Sequence, residues 1–261
     1  MHDLLQRALY RYGWDTRCRN LIPARLLRPL MGGESARSRP VLLDVGCGRI
    51  GLAGFLPDVP VVGLDVEQPV ESAPNFTFRP GSVTSLPFPD RSFQLVSCVD
   101  VLEHLPLDVR ELAVTELTRV ASRAVLIAAP HGEAAQGCDE EFRRELTARR
   151  RPVPGWVDEH LRQPYPTSPE VVALVRRAAA AQGRAVKISL SYSEPLGASR
   201  LVRRSAARSD VLYTAVNFLM GVALPVIPEP RAGNSYRTII LAEFADGAAG
   251  AAHEGRRAGT G

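Results

Sequence analysis

Residues 41–51 have the sequence Val-Leu-Leu-Asp-Val-Gly-Cys-Gly-Arg-Ile-Gly, and this stretch decides the fold. Its first half is a short apolar run, typical of a β-strand that is buried on both faces. Three glycines follow in the spacing G-x-G-x-x-G, at Gly46, Gly48 and Gly51. Glycines after a strand let the backbone turn tightly and approach a ligand closely, because no Cβ intrudes. The stretch therefore predicts a ligand-binding loop at the carboxyl end of a buried strand.

Six further segments have the length and composition of strands, at residues 61–65, 76–78, 93–98, 124–128, 187–192 and 236–244. Helical spacing covers residues 108–121, and a second helix begins after Thr167 and ends at Gly183. The prolines in residues 67–75 indicate that the second crossover helix is short or absent. Strands that alternate with helices predict a parallel sheet with ligands at the strands' carboxyl ends. The last two strands have no strong helix between them, which predicts an antiparallel ending.

The composition fits a globular protein of one α/β domain with elaborations. The chain has 261 residues, a formal net charge of +4 and a pI of about 9.1. Lys187 is the single lysine, so arginine carries nearly all of the positive charge. These arginines are scattered and do not cluster with aromatic residues, so a nucleic-acid partner is not expected.

The cysteines and the N-terminus predict a cytoplasmic protein without a metal site. The four cysteines are far apart and have no C-x-x-C or metal-ligand spacing: Cys18, Cys47, Cys98 and Cys138. Charged residues interrupt the N-terminus, so no signal peptide is expected. The uncharged run 211–228 contains Asn217 and two prolines. A buried or interfacial segment is favoured there over a transmembrane helix.

The glycine pattern alone does not decide between an enzyme that binds a dinucleotide and one that binds a different ligand. Asp65 ends the second strand, where a dinucleotide-binding oxidoreductase places the acid that binds its ribose. Asp44, however, lies two residues before the first glycine. A carboxylate there would repel a dinucleotide's pyrophosphate, whereas it would attract an ammonium or a sulfonium group.

Three later blocks resemble the class I, Rossmann-like methyltransferases that use S-adenosyl-L-methionine, in particular those of small molecules. The blocks are residues 86–93 (LPFPDRSF), 100–105 (DVLEHL) and 116–120 (ELTRV) followed by Pro130. The resemblance implies a Rossmann-like, seven-stranded, mostly parallel sheet with a final antiparallel strand and helices on both faces. It also implies S-adenosylmethionine as cofactor and a small-molecule methyl acceptor.

The resemblance further implies roles for individual residues. Asp44 would lie near the amino-acid end of the cofactor, Asp65 would bind both ribose hydroxyls, and residues 98–100 would form the floor under the methyl group. The implied cofactor-binding residues are Asp44, Gly46, Cys47, Gly48, Asp65, Val66, Ser82, Val83 and Val99. Ile50 and Ser82 depart from the glycine and aspartate usual in the family. These departures leave a catalytically inactive binding module open as an alternative.

A general base is needed only for a hydroxyl or protonated amine acceptor. His131 is the first candidate, because it directly follows the fifth strand. His104 is the second, although it could instead cap the following helix. His160 lies in a loop with proline and tryptophan and ranks below both.

The parts that exceed a minimal domain are expected to recognise the acceptor. We predict an N-terminal helical cap over residues 1–39 and a methyltransferase domain over 40–244, with a disordered tail over 245–261. Insertions at 131–166 and 194–235 are predicted to cover a hydrophobic or amphiphilic acceptor. Their aromatic residues are Trp156, Tyr165, Tyr213 and Phe218. A homodimer interface is an equal alternative for these segments.

Overall fold

The computed structural model describes residues 13–31, 42–69 and 71–246. The seven strands are β1 (Leu42–Val45), β2 (Val61–Asp65), β3 (Phe76–Pro80), β4 (Phe93–Val99), β5 (Ala121–Pro130), β6 (Arg184–Pro195) and β7 (Ser235–Asp246). A first helical segment, α1, joins Trp14–Thr16, a π-helical Arg17–Leu21 and Ile22–Leu27. The other helices are α2 (Leu107–Val120), α3 (Gly132–Ala148), α4 (Gly155–His160), α5 (Ser168–Ala181), α6 (Leu196–Arg208) and α7 (Asp210–Ala223). Much of the predicted cap, at 1–12 and 32–39, and nearly all of the predicted tail lie outside the described residues.

The sheet confirms the predicted fold class. Its strand order is β3-β2-β1-β4-β5-β7-β6. The first five strands pair in parallel, whereas β7 is antiparallel to both β5 and β6. The carboxyl ends of β4, β5 and β6 therefore meet the amino end of β7 at one edge of the sheet, here called the carboxyl edge.

Two apolar cores cover the two faces of this sheet, as a doubly covered parallel sheet requires. Leu43 and Val45 of β1 face one core with α2 and α5, and Leu42 faces the other with α1. Because side chains alternate along a strand, an unbroken apolar run such as that of β1 serves both cores.

Crossover lengths also follow the sequence. Only a single 3-10 turn, Gly51–Gly54, lies between β1 and β2, and no helix occurs among the described residues between β2 and β3. The helix predicted after Thr167 begins with a capping box in which Thr167 and Glu170 bind each other's backbone. Within the described ranges, no helix is long and apolar enough to cross a membrane.

The 116–120 block anchors the loop before β4. The Arg119 guanidinium donates to the backbone carbonyls of Leu86 and Phe88 and to the carboxylates of Glu116 and Asp90. Glu116 in turn accepts from the backbone N–H of Leu86 at 2.8 Å. The block therefore fixes one end of β4 to α2.

We expect Arg119→Gln to lower the free energy of unfolding by about 2–3 kcal/mol, because hydrogen bonds to a charged group are lost and carbonyls are left unpaired. Arg177→Gln is the control: Arg177 is exposed, pairs with Glu111, and should change the free energy by less than about 1 kcal/mol. Urea denaturation measures both. Equal losses would contradict the anchoring role.

Candidate active site

The glycine loop after β1 is held against β2. The backbone N–H groups of Gly46 and Cys47 both donate to the Leu64 carbonyl, at 2.7 and 3.3 Å. Gly46, Gly48 and Gly51 all have φ between +48° and +74°, the left-handed region that favours glycine. The three predicted glycines are thus each required by backbone conformation.

Only one of these glycines faces open space. A Cβ at Gly46 would lie 2.1 Å from Cγ2 of Val101, and a Cβ at Gly51 would lie 2.0 Å from Oδ2 of Asp44. A Cβ at Gly48 would meet nothing within 4 Å. A side chain at Gly46 would therefore collide with Val101 rather than occupy space beside a ligand. Gly48 is the glycine with room for a ligand beside it.

Asp44 lies behind the loop rather than in front of it. Its carboxylate is 2% exposed and accepts from the Leu52 backbone N–H at 2.8 Å and from the Ser97 hydroxyl at 2.7 Å. Burial raises the pKa of Asp44 to about 6, against these two hydrogen bonds. The structure does not bring this side chain to an open surface near a cofactor. Asp44 therefore stabilises the loop from its buried side through these two hydrogen bonds.

Asp65 faces the open side of the loop. Its carboxylate accepts from the backbone N–H groups of Gly48, at 2.9 Å, and Glu67, at 3.3 Å. A carboxylate offers about four acceptor positions, so roughly two remain. Val66 beside it leaves 75% of its surface exposed, which is high for an apolar side chain.

The other predicted cofactor residues turn their side chains inward or use them locally. Cys47, Val83 and Val99 are buried, so only their backbones can reach a ligand. Burial raises the pKa of Cys47 to about 12. The Ser82 hydroxyl lies 2.9 Å from that of Thr84, within the turn that follows β3.

A cavity of about 560 Å³ opens at the carboxyl edge. Its floor comes from the sheet, at Asp100, Pro130, Glu194, Tyr236 and Arg237. Its walls come largely from the two insertions and from α1. The wall residues include Asp15, Arg19, His104, Phe142, Trp156, His160, Val202, Arg203, Ala206 and Tyr213. The four aromatic residues of the insertions differ in position. Trp156 and Tyr213 line the cavity. Tyr165 is buried beside it, and Phe218 is 40% exposed.

A chain of buried charges crosses the floor. Arg237 donates to Asp100 at 2.6 and 2.7 Å and to Glu194 at 2.5 Å. Arg203 pairs with Glu194 at 3.3 Å and with Asp139 at 2.9 Å. Burial alone would raise the pKa of Asp100 and Asp139, but the neighbouring arginines outweigh it and hold both below their usual values. The sequence did not predict this network. Arginine and glutamate within otherwise apolar strands were the features that could have indicated it.

The structure separates the candidate histidines. His131 does not line the large cavity; its Nδ1 lies 3.4 Å from the Ser168 hydroxyl, beside a pocket of about 10 Å³. His104 and His160 both line the cavity, with their Nε2 atoms 3.1 Å apart. His160, which sequence analysis ranked below the others, is thus in contact with His104. Burial first, and the His160 ring next, lower the pKa of His104.

Glu103 lies directly behind these histidines. It is 0% exposed, and neither of its carboxylate oxygens has a hydrogen-bond partner in the described part of the chain. Burial, and then the charge of Asp100, raise the pKa of Glu103 well above its usual range.

Comparison with known proteins identifies the part of the chain around this site. Residues 43–128 match a family described as a methyltransferase domain. Within these residues the chain is similar to class I methyltransferase domains, in agreement with the prediction from the sequence. A 127-residue stretch is 29% identical to an uncharacterized methyltransferase from Schizosaccharomyces pombe, covering 40% of this chain and 45% of that protein. The chain therefore spans less than half the length of this relative.

Two solved structures share the fold over nearly the whole chain. A putative methyltransferase from an antibiotic biosynthesis pathway of Anabaena variabilis has a TM-score of 0.51 and 15% identity, covering 86% of this chain and 98% of that one. A possible histamine N-methyltransferase of Thermotoga maritima has a TM-score of 0.51 and 14% identity, covering 93% and 95%. Class I methyltransferase domains use S-adenosylmethionine as methyl donor, so the cofactor predicted for this domain is confirmed.

The loop geometry makes Gly51→Ala and Gly48→Ala a matched pair. Both substitutions put alanine in the left-handed region, which costs about 1–2 kcal/mol. Gly51→Ala adds the collision with Asp44, so it should lower the free energy of unfolding by roughly a further 1–3 kcal/mol. Chemical denaturation of both variants tests this, and a Gly48→Ala protein that is less stable than Gly51→Ala would contradict the packing described.

Proposed function

We propose that this chain transfers the methyl group of S-adenosylmethionine to a small hydrophobic or amphiphilic molecule held in the cavity at the carboxyl edge. The observation that carries the proposal is the position of the cavity. Its floor is the carboxyl end of β4, in the domain that uses this donor, and its volume of about 560 Å³ is within the usual range for small-molecule sites. Ligands of open α/β sheets bind at this edge.

The donor site would use the open side of the glycine loop. Gly48 leaves space there, and Asp65 has acceptor positions left for two ribose hydroxyls. The exposed Val66 side chain offers an apolar surface to the adenine. Ser82 and Val83 would contribute from the neighbouring turn, mainly through their backbones. When bound, S-adenosylmethionine supplies a methyl group on a positively charged sulfur, which a correctly aligned acceptor lone pair displaces.

The acceptor would be enclosed by the two insertions and α1. Residues of α6 and α7 line the cavity, and α7 is fixed to α1 by the Tyr213 hydroxyl, which donates to Asp15 at 2.9 Å. Aromatic and aliphatic walls favour an apolar body, whereas His104 and the charged floor favour a polar group at one end. Of the two predicted catalytic histidines, His104 lines this cavity and His131 does not, which supports a position for His104 beside the acceptor.

The outer face of α7 suits the homodimer prediction, which stays a prediction. Its exposed apolar side chains are Val211, Leu212, Phe218, Leu219 and Val222. These residues point away from the cavity, so one helix can cover the acceptor and meet a partner subunit.

Asp65→Ala is expected to weaken S-adenosylmethionine binding by about 1.5–3 kcal/mol, or roughly 10–150-fold, because hydrogen bonds to a charged group are lost. Asp58→Ala is the control, since Asp58 is an exposed aspartate that pairs with Arg28 on the surface. Isothermal calorimetry with the cofactor alone gives both affinities. Unchanged binding in the Asp65 variant would remove this residue from the donor site.

Ala206→Trp should fill the cavity from α6 and reduce methyl transfer more than tenfold while the affinity for S-adenosylmethionine stays unchanged. Leu201→Trp changes the exposed side of the same helix, where Leu201 is 51% exposed, and should have no effect. The measurement is transfer of radiolabelled methyl groups to a panel of hydrophobic alcohols, phenols and amines.

Two results would count against this function. Equal transfer by wild type and Ala206→Trp would place the acceptor elsewhere. Tight cofactor binding without transfer to any acceptor would favour the inactive binding module.

A further inference from the structure

The side chains of Glu103, His104 and His160 converge at the edge of the cavity. Their ligand-type atoms all lie within 4.8 Å of one another. The two Nε2 atoms are 3.1 Å apart, and Nε2 of His160 is 3.9 Å from Oε1 of Glu103. Two of these residues follow β4, and the third ends α4, more than fifty positions later in the chain.

Both imidazole rings are oriented by carboxylates on their far sides. Nδ1 of His104 faces Oε2 of Glu159 at 3.4 Å, and Nδ1 of His160 faces Oδ2 of Asp139 at 3.4 Å. Asp139 is ionised, because it also accepts from Arg203, Tyr165 and Tyr236. A proton on each Nδ1 satisfies these carboxylates and leaves the two Nε2 lone pairs pointing at each other. Two lone pairs at that distance need either a proton or a metal ion between them.

The carboxyl group of Glu103 lies at the same point, and it becomes a negatively charged ligand when a metal ion displaces its proton. The charge network on the floor is already balanced, since Asp100, Glu194 and Asp139 are matched by Arg237, Arg203 and Arg19. Glu103 stands outside this network, fully buried, with both oxygens unpartnered among the described residues. A buried carboxylate without hydrogen-bond donors is costly unless a proton or a metal ion accompanies it.

We propose that Glu103, His104 and His160 bind one divalent first-row transition-metal ion, of the Zn²⁺ type. Two imidazole nitrogens and one carboxylate oxygen are a usual ligand set for such ions and not for Mg²⁺ or Ca²⁺. Ligands at about 2.0–2.1 Å from a metal lie roughly 3.0–3.4 Å from each other. The histidine pair already has this separation, whereas Glu103, at 3.9 Å from Nε2 of His160, must move inward to bind the same ion.

The carboxylates behind the rings fit the same interpretation. Metal-binding histidines commonly donate their second ring N–H to a carboxylate, which fixes the tautomer and the ring orientation. Glu159 and Asp139 hold these positions. The sequence did not predict this metal site, because the ligands include no cysteine pair and His160 lies 56 positions after His104.

The open side of this metal site faces the cavity, which both histidines line. Three protein ligands leave at least one coordination position for a water or a ligand. If the proposed function holds, the acceptor's polar group lies at that position. The metal site then favours an acceptor that presents an oxygen atom, such as a phenol, an alcohol or a carboxylate, and makes His104 a metal ligand rather than a general base.

Metal binding is tested on the full chain without an affinity tag. The protein is stripped with a chelator, and Zn²⁺ is then titrated by calorimetry in the absence of cofactor and acceptor. Bound metal is counted by elemental analysis after dialysis, and Co²⁺ substitution gives a visible spectrum that reports nitrogen and oxygen ligands. We expect one ion per chain.

The variants distinguish the proposed metal ligands from the residues around them by their effect on Zn²⁺ binding. Glu103→Gln and His104→Gln should each weaken Zn²⁺ binding by at least about 100-fold, and Glu159→Gln by roughly tenfold, since it acts through His104. Asp158→Asn is the matched control, because this exposed α4 carboxylate pairs with Arg143 and should leave binding unchanged. His104 is partly exposed, so its substitution keeps the test available if Glu103→Gln fails to fold.

Two outcomes would overturn the proposal. The first is a wild-type protein that binds no stoichiometric Zn²⁺, with Glu103→Gln equally stable, which would mean that a proton satisfies Glu103. The second is metal binding that is the same in wild type and in both ligand variants. Neither result depends on methyl transfer, so failure of the metal site and failure of the proposed function are distinguishable.

Discussion

The alternating charges beneath the cavity are the interaction on which the rest of the structure depends. Arg237 joins the end of β4 to the end of β6, and Arg203 extends the chain from β6 to α3. In a poorly solvated interior, removing one member leaves its partner charged and uncompensated, at a cost of about 3–5 kcal/mol. Two carboxylate residues of the network, Asp100 and Glu194, have positive φ values of 54° and 65°, which are uncommon outside glycine. The covering helices are therefore positioned by charge as much as by apolar packing.

Much of the fold could be predicted from the sequence because the strands can be recognised from their apolar composition. All seven predicted strands are present, and the antiparallel ending is confirmed. The premise that no strong helix separates the last two strands is wrong, because α6 and α7 both lie between β6 and β7. The predicted strands were too short at ends where the strand begins with a polar residue. Residue Arg184 opens β6 because its guanidinium donates to the carbonyls of Thr118, Ala121 and Ser122, more than sixty residues away. Hydrogen-bond partners so far away along the chain cannot be recognised from a short stretch of sequence.

The candidate site was less predictable, for the same reason. A local motif located the glycine loop and Asp65. It could not tell which glycine faces outward, since this depends on Val101, in the loop after β4. His131 was favoured for its place after β5, yet the direction of its side chain depends on the α5 region. His160 and Asp139 belong to an insertion without a family pattern, so only the folded chain shows them beside His104.

The sheet order also constrains how the chain acquires its structure. Among the described strands, β6 pairs with β7 alone, and β7 lies between β6 and β5 although it follows both in the chain. Until residues 235–246 leave the ribosome, β5 presents an unpaired edge and β6 has nothing to pair with. Helices α6 and α7 are synthesised during this interval and have no completed floor to pack on. Long-range pairing of this kind is slow and leaves strand edges exposed to other chains. Nascent chains of this protein therefore depend on their last strand for protection from aggregation.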